Sequence, residues 1–290
     1  MYKKIRKGFS LLEISIVIVV FALLALGVMQ GGELVRKSKI TSAQMLTKSS
    51  LIGKMDSLVL WLETTMPNSF DDTEEVDGGK ISTWYDTSNT KITPVNALQA
   101  NATNKPTYTT NAINGLPALK FISSNSTYMS VASGFDNNAD TVTLFLVWQP
   151  TTAAGAENDL LEKWAGSGPY PYALRSTTTY YSKSSDGTNN PGPNSTTSKR
   201  SGVPHIISAR KIKSGAMNLW VNGSAEGGTV NDNTGTSFNN ANLFIGCRGN
   251  LTQCTDGYIG EAIIFDRALS DQEIADIHRY LSKKWGITIS

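Results

Sequence analysis

The chain has 290 residues, 40% of them hydrophobic and 17% charged, with 26 Lys and Arg against 24 Asp and Glu and a formal net charge of +2. Four of the cations, Lys3, Lys4, Arg6 and Lys7, stand in the first eight residues, so the remainder is slightly acidic, 22 against 24. That balance excludes a basic nucleic-acid-binding surface, two cysteines and two histidines exclude a zinc site, and the length suits one large domain behind a terminal segment.

Residues 9–29 form an almost unbroken apolar run behind the basic leader. As a helix the run is about 31 Å long, which matches a hydrocarbon core of roughly 30 Å. The cationic leader keeps the N-terminus cytoplasmic and sends the rest across the membrane once. No A-x-A site follows before Gln30, Gly31 and Gly32, so the apolar helix is expected to be retained. A plain anchor does not explain Glu13. A charge at a helix centre costs about 2.5–3.5 kcal/mol on insertion scales, and the eleven Leu, Ile, Val and Phe residues between Ile14 and Val28, at about −0.3 to −0.6 kcal/mol each, can offset it. Insertion then leaves Glu13 in need of a partner.

The run Lys7-Gly8-Phe9-Ser10-Leu11-Leu12-Glu13 resembles the prepilin signal of type IV pilins and type II secretion pseudopilins. The resemblance implies a leader, residues 1–8, cut between Gly8 and Phe9 by a prepilin peptidase at the inner (cytoplasmic) membrane, and methylation of the new Phe9 amine. It implies a transmembrane and assembly helix, residues 9–57, in which Glu13 pairs with the Phe9 amine of a neighbouring pilin or pseudopilin subunit. The assembled form is then a periplasmic pseudopilus or an extracellular pilus. An ordinary signal anchor with a stray Glu is the plain alternative. Residues 30–57 stay helix-compatible and amphipathic, with Leu34, Val35, Ile40, Met45, Leu46, Leu51, Ile52 and Met55 among polar residues. Gly27, Gly31 and Gly32 weaken the helix by about 1 kcal/mol each relative to Ala, as a hinge or a place of close helix packing.

From Leu58 the period shortens and Gly, Ser, Thr and Asn become frequent, which predicts an α+β, mainly β chain. Strands are expected at 58–62, 81–85, 118–122, 141–148, 205–210, 217–221, 242–246 and 258–265. Val142 to Trp148 is apolar on both faces, as in the middle of a sandwich, and Asn222-Gly223 suits a tight hairpin turn. The acidic run Asp71, Asp72, Glu74, Glu75 and Asp77 reads as a solvated loop ahead of a metal site. In an exported, oxidising setting Cys247 and Cys254 are expected to form a disulfide closing a loop. Ser270-Asp271-Gln272-Glu273 is a capping box and Gly286 a stop, so a helix is expected over 271–285, with Ile274, Ile277, Leu281 and Trp285 on one face and His278 packing beside it.

Residues 58–290 resemble the concanavalin A-like, laminin G-like sandwiches of lectins and glucanases. The resemblance rests on Leu60-Trp61-Leu62, Thr83-Trp84-Tyr85-Asp86, Asn114-Gly115-Leu116-Pro117-Ala118-Leu119-Lys120-Phe121, Val221-Asn222-Gly223 and the stretch from Gly260-Glu261-Ala262 through Asp266-Arg267-Ala268-Leu269-Ser270 to Lys284-Trp285-Gly286. It implies an antiparallel β-sandwich closed by the C-terminal helix, while function varies within the family. Retaining glucanases need two carboxylates facing one another on one strand, as in an E-x-D-x-x-E pattern. Glu261 and Asp266 stand at an odd spacing that turns them to opposite faces of a regular strand, no E-x-D-x-x-E pattern is expected anywhere in the chain, and no catalysis is expected. No cofactor is required, although modules of this kind hold Ca²⁺ at a rim and Asp86 is a candidate ligand. Trp164, Tyr170, Tyr172, Tyr180 and Tyr181 are candidates for stacking on sugars. Two readings of function follow: a pilin-like subunit displaying the sandwich for adhesion to glycan or a surface receptor, and a structural pseudopilin of a type II secretion system.

Overall fold

The computed structural model describes residues 10–88, 95–136, 140–153, 155–164, 169–235 and 241–290, with the side chains of 25–30 outside the description. Helix α1, Leu11–Ser49, opens on a capping box: Ser10 Oγ accepts the Leu12 N–H, and Glu13 Oε2 accepts the Ser10 N–H at 2.8 Å. Glu13 thus has a partner inside its own subunit, one of the N–H groups that a helix start leaves unpaired. The large apolar side chains from Leu11 to Leu24 are all exposed. Among the described residues no helix is long and apolar enough to cross a membrane.

The helix runs unbroken through Gly27, Gly31 and Gly32 and stops at Ser49, short of the expected residue 57. There Ser50 turns extended and its hydroxyl accepts the Ile52 N–H at 3.0 Å, starting a 3₁₀ turn, Ile52–Lys54, that buries Ile52. Ala43 and Thr47 are buried against the rest of the chain, whereas Leu34, Val35 and Met45 face outward. Strands follow as β1 (Leu58–Glu63), β2 (Thr83–Trp84), β3 (Ala97–Leu98), β4 (Thr107–Ile113), β5 (Leu116–Phe121), β6 (Met129–Val131), β7 (Val142–Pro150), β8 (Asn158–Trp164), β9 (Tyr170–Ser176), β10 (Tyr180–Ser185), β11 (His205–Lys211), β12 (Ala216–Val221), β13 (Ser224–Asn231), β14 (Asn242–Ile245) and β15 (Gly257–Phe265), and then α2 (Asp271–Trp285).

They form two antiparallel sheets. One has eight strands in the order β13-β12-β11-β7-β15-β5-β4, with β1 also paired to β15; the other has seven in the order β10-β9-β8-β14-β6-β3-β2. All eight expected strands are present with slightly shifted ends, and the seven not expected are short or carry charged and hydroxyl side chains. Leu144, Leu146 and Trp148 of β7 point into the core between the sheets with Leu161, Leu174, Leu243 and Ile245. Phe145 and Val147 point the other way, into a second core with Ile263, Phe265, Ile274, Ile277, Leu281 and Trp285. β7 is therefore buried on both faces because a sheet covers one and the helices the other. Asn222 (φ 50°) and Gly223 (φ 84°) make the β12–β13 turn.

The C-terminal helix follows the sequence closely, from its Ser270–Glu273 capping box to left-handed Gly286. Its Trp285 lies on Gly260 of β15, where an added Cβ would come within 2.4 Å of the indole. A buried polar joint ties both helices to the eight-stranded sheet. Lys284 Nζ reaches Thr47 Oγ1 of α1 at 2.8 Å, Glu63 at 2.8 Å and Glu261 at 2.9 Å. Glu261 also accepts the indole N–H groups of Trp61 (2.7 Å) and Trp285 (2.8 Å), so it is a packing carboxylate. His278 is buried and shares a 2.7 Å hydrogen bond with the Ser208 hydroxyl, as a packing histidine should.

Candidate functional site

The helices cover the outer face of the eight-stranded sheet, which leaves the outer face of the seven-stranded sheet to carry a site. On β9, Leu174 points inward, so Arg175 points outward; on β14, Leu243 and Ile245 point inward and Phe244 outward. Strand β8 is irregular. A bulge between Asp159 and Leu161 inserts one residue, so Asp159 pairs with Arg175 and Glu162 with Ala173 on the same outer face despite their odd spacing.

The result is a cluster of three acids and two arginines. Arg175 contacts Asp159 at 2.7 Å and Glu162 at 2.5 Å, and Arg248 contacts Asp159 at 2.6 Å and Glu157 at 2.6 Å. Arg248 comes from the loop that the Cys247–Cys254 disulfide closes. The guanidinium of Arg175 lies 4.6 Å from the Tyr170 ring and that of Arg248 5.4 Å from the Trp164 ring, within cation–π range. Trp164 and Tyr170 are themselves 6.0 Å apart, and the Tyr181 hydroxyl donates to Glu157 at 2.6 Å. Asp159 and Glu162 have no exposed surface, while Glu157 and Trp164 are half-buried and form the solvent side.

Burial pushes the Asp159 carboxyl up to about 8, helped by the hydrogen bond and charge of Glu162 and opposed by the arginines. Glu157 goes the other way: burial works to raise it, but the Tyr181 hydroxyl and the two arginines hold it below the ordinary carboxylate range. Burial and the arginines thus push the Asp159 and Glu157 carboxyls in opposite directions, within an array of fixed donors and acceptors beside an indole.

The five aromatic candidates divide. Trp164, Tyr170 and Tyr181 belong to this cluster, although the two tyrosines are largely buried in it. Tyr172 and Tyr180 are buried in the core between the sheets and cannot stack on a sugar, because their alternation along β9 and β10 turns them inward. Tyr172 there donates to Asp136 at 2.7 Å, which also pairs with Lys163 at 2.5 Å. Asp86 serves as a brace: Oδ1 accepts the N–H groups of Trp61 (2.9 Å) and Ser88 (3.0 Å), and Oδ2 the Ser88 hydroxyl (2.7 Å). Both oxygens are thus taken, and among the described residues no three His, Cys, Asp or Glu side chains converge as ligands for an ion. Gly8 and Phe9 lie outside the described residues.

Sequence reasoning missed Glu157, Asp159, Glu162, Arg175 and Arg248. The expectation that the chain lacks an E-x-D-x-x-E pattern is wrong, since Glu157-Asn158-Asp159-Leu160-Leu161-Glu162 is one. The pattern was overlooked because charges obscure the strand period there, and the pairing with arginines from two distant segments has no local signature.

Residues 123–275, more than half of the chain, match the concanavalin A-like lectin/glucanases superfamily. Residues 3–29 match the prokaryotic N-terminal methylation motif, which implies anchoring in the inner membrane before assembly and prepilin peptidase and pilin partners. No curated protein matches the sequence. Among solved structures the chain is similar to the binding domain of Paraclostridial mosquitocidal protein 1, with a TM-score of 0.60 and 14% identity over 80% of this chain and 55% of that one. It is similar to botulinum neurotoxin type C, whose cell entry depends on interaction with two ganglioside molecules (TM-score 0.56, 14% identity, 80% and 53% covered). It is also similar to a mutant Trypanosoma rangeli sialidase displaying trans-sialidase activity (TM-score 0.52, 17% identity, 80% and 34% covered). At these identities the likeness is one of fold, and the chain spans about half the length of the two toxin chains.

Proposed function

The chain belongs to the concanavalin A-like lectin/glucanases superfamily, and from that premise we propose that it is a pilin-like subunit whose sandwich binds glycan on the outer face of the seven-stranded sheet. The N-terminal helix anchors the subunit in the inner membrane and then enters a filament, in the periplasm or at the cell surface. The observation that carries the binding role is the paired Arg175–Arg248–carboxylate cluster beside half-buried Trp164. Fixed, paired charges present hydrogen-bonding groups suited to vicinal hydroxyls, and a half-buried indole suits the apolar face of a sugar ring.

The E-x-D-x-x-E pattern with its bulge favours a second reading, glycan cleavage. Two features speak against it. Glu157 is held ionised and both it and Glu162 are tied to arginines, so neither is a ready general acid, and the protonated Asp159 has no exposed surface. We therefore read the site as non-catalytic and independent of a metal ion.

The test is a glycan array probed with residues 33–290, a fragment that keeps the part of α1 packed on the sandwich. Binding is expected with or without a calcium chelator, with an affinity loss of about tenfold or more in Trp164→Ala, which is about 1.4 kcal/mol. Release of reducing sugar would favour the enzyme. Absence of any glycan ligand would leave the structural pseudopilin.

A further inference from the structure

Between α1 and the end of α2 lies a cleft of about 340 Å³. Its floor is apolar, built by Ala43, Leu46, Leu116 and Trp285, and exposed Lys39 and Lys283 stand on its rim. Lys39 Nζ donates to Asn114 O at 3.1 Å, and neither lysine forms an ion pair among the described residues. Elsewhere on the molecule the acidic loop carries the reverse pattern. Val76 is 53% exposed in the middle of it, flanked by exposed Asp72 and Asp77.

The two features lie on different flanks of α1. At about 100° per residue, Lys39, Ser42 and Leu46 project to one side of the helix face that packs on the sandwich. Gln44 projects to the other, donating at 2.8 Å to the carbonyl of Thr65, which leads into the acidic loop. We propose that the acidic loop of one copy seats in the α1–α2 cleft of the next, Val76 on the apolar floor and Asp72 and Asp77 against Lys39 and Lys283. Because donor and acceptor surfaces differ, the contact is heterologous, the kind that builds a filament when the rotation between copies does not close a ring.

The inference rests on the filament reading and is tested so that the two can fail separately. Full-length Ser42→Cys/Val76→Cys chain, oxidised in membranes or sheared material, is expected to give a ladder of dimers, trimers and higher species on a non-reducing gel, whereas each single variant stops at dimers. Adding Lys39→Glu/Lys283→Glu should remove the ladder, and adding Asp72→Lys/Asp77→Lys to that chain should restore it. Filaments seen by microscopy without a ladder overturn this contact alone. A ladder without filaments supports the contact and overturns the filament reading, and the absence of both overturns both.

Discussion

Asp159 shows how far one residue's chemistry can depart from its sequence context. The strand bulge turns it toward Glu162, burial removes its water, and its carboxyl rises to about 8 from an ordinary 3.8. The sign of the consequence follows from linkage: the folded state holds the proton more tightly than the unfolded one. Asp159 therefore contributes stability that is fully present below about pH 4 and is lost as pH rises through about 8. Denaturation midpoints of the wild type are expected to fall between pH 5 and 9 by more than those of Asp159→Asn, which lacks the titration. Equal slopes for the two would show that the carboxyl is not held neutral. The groups facing it, Glu157, Glu162, Arg175 and Arg248, are common to both proteins, so the difference isolates this carboxyl. The acids of the pattern can be read in the sequence. That they share a face, and that Arg175 and Arg248 reach them, depends on a bulge and on strand neighbours.

Among the elements, α2 was the most legible because capping residues, a hydrophobic face and a terminal glycine are local signals that agree. Strands β8, β9 and β10 were the least legible, since their inward and outward residues mix charges, hydroxyls and rings without a clean period of two. The joint between elements was not legible at all. Lys284 is fully buried with two carboxylates, which raise its pKa well above the ordinary value against the effect of burial. Replacing it with Met leaves Glu63 and Glu261 buried without a countercharge, at a cost of about 3–5 kcal/mol. Chemical denaturation should show that loss. Hydrogen exchange should rise first in residues 40–49 and 271–285, because Lys284, together with the Tyr280 hydroxyl, joins α1 and α2 to the sheet. Exchange rising instead across both sheets at once would show that the joint is not a separate unit.

For the whole molecule, the N-terminal motif and the sandwich make separable predictions. Gly8→Ala is expected to leave the leader uncut, seen as a longer precursor on a gel. Glu13→Ala is expected to block entry into filaments, while the melting transition of the sandwich stays within about 0.5 kcal/mol of wild type, as for exposed sites remote from the core. Loss of the sandwich in Glu13→Ala would contradict that separation, since the exposed start of α1 touches none of it. The sequence by itself determined the prepilin-type segment, the sandwich class, the disulfide pair and α2, because each is encoded in neighbouring residues or in a short period. Only the tertiary structure decided that α1 stops at Ser49, that Tyr172 and Tyr180 face the core, and that acids and arginines from three segments meet on the face the helices leave uncovered. Those outcomes depend on which strands become neighbours and where a bulge falls, and such contacts are set by packing between residues far apart in the chain.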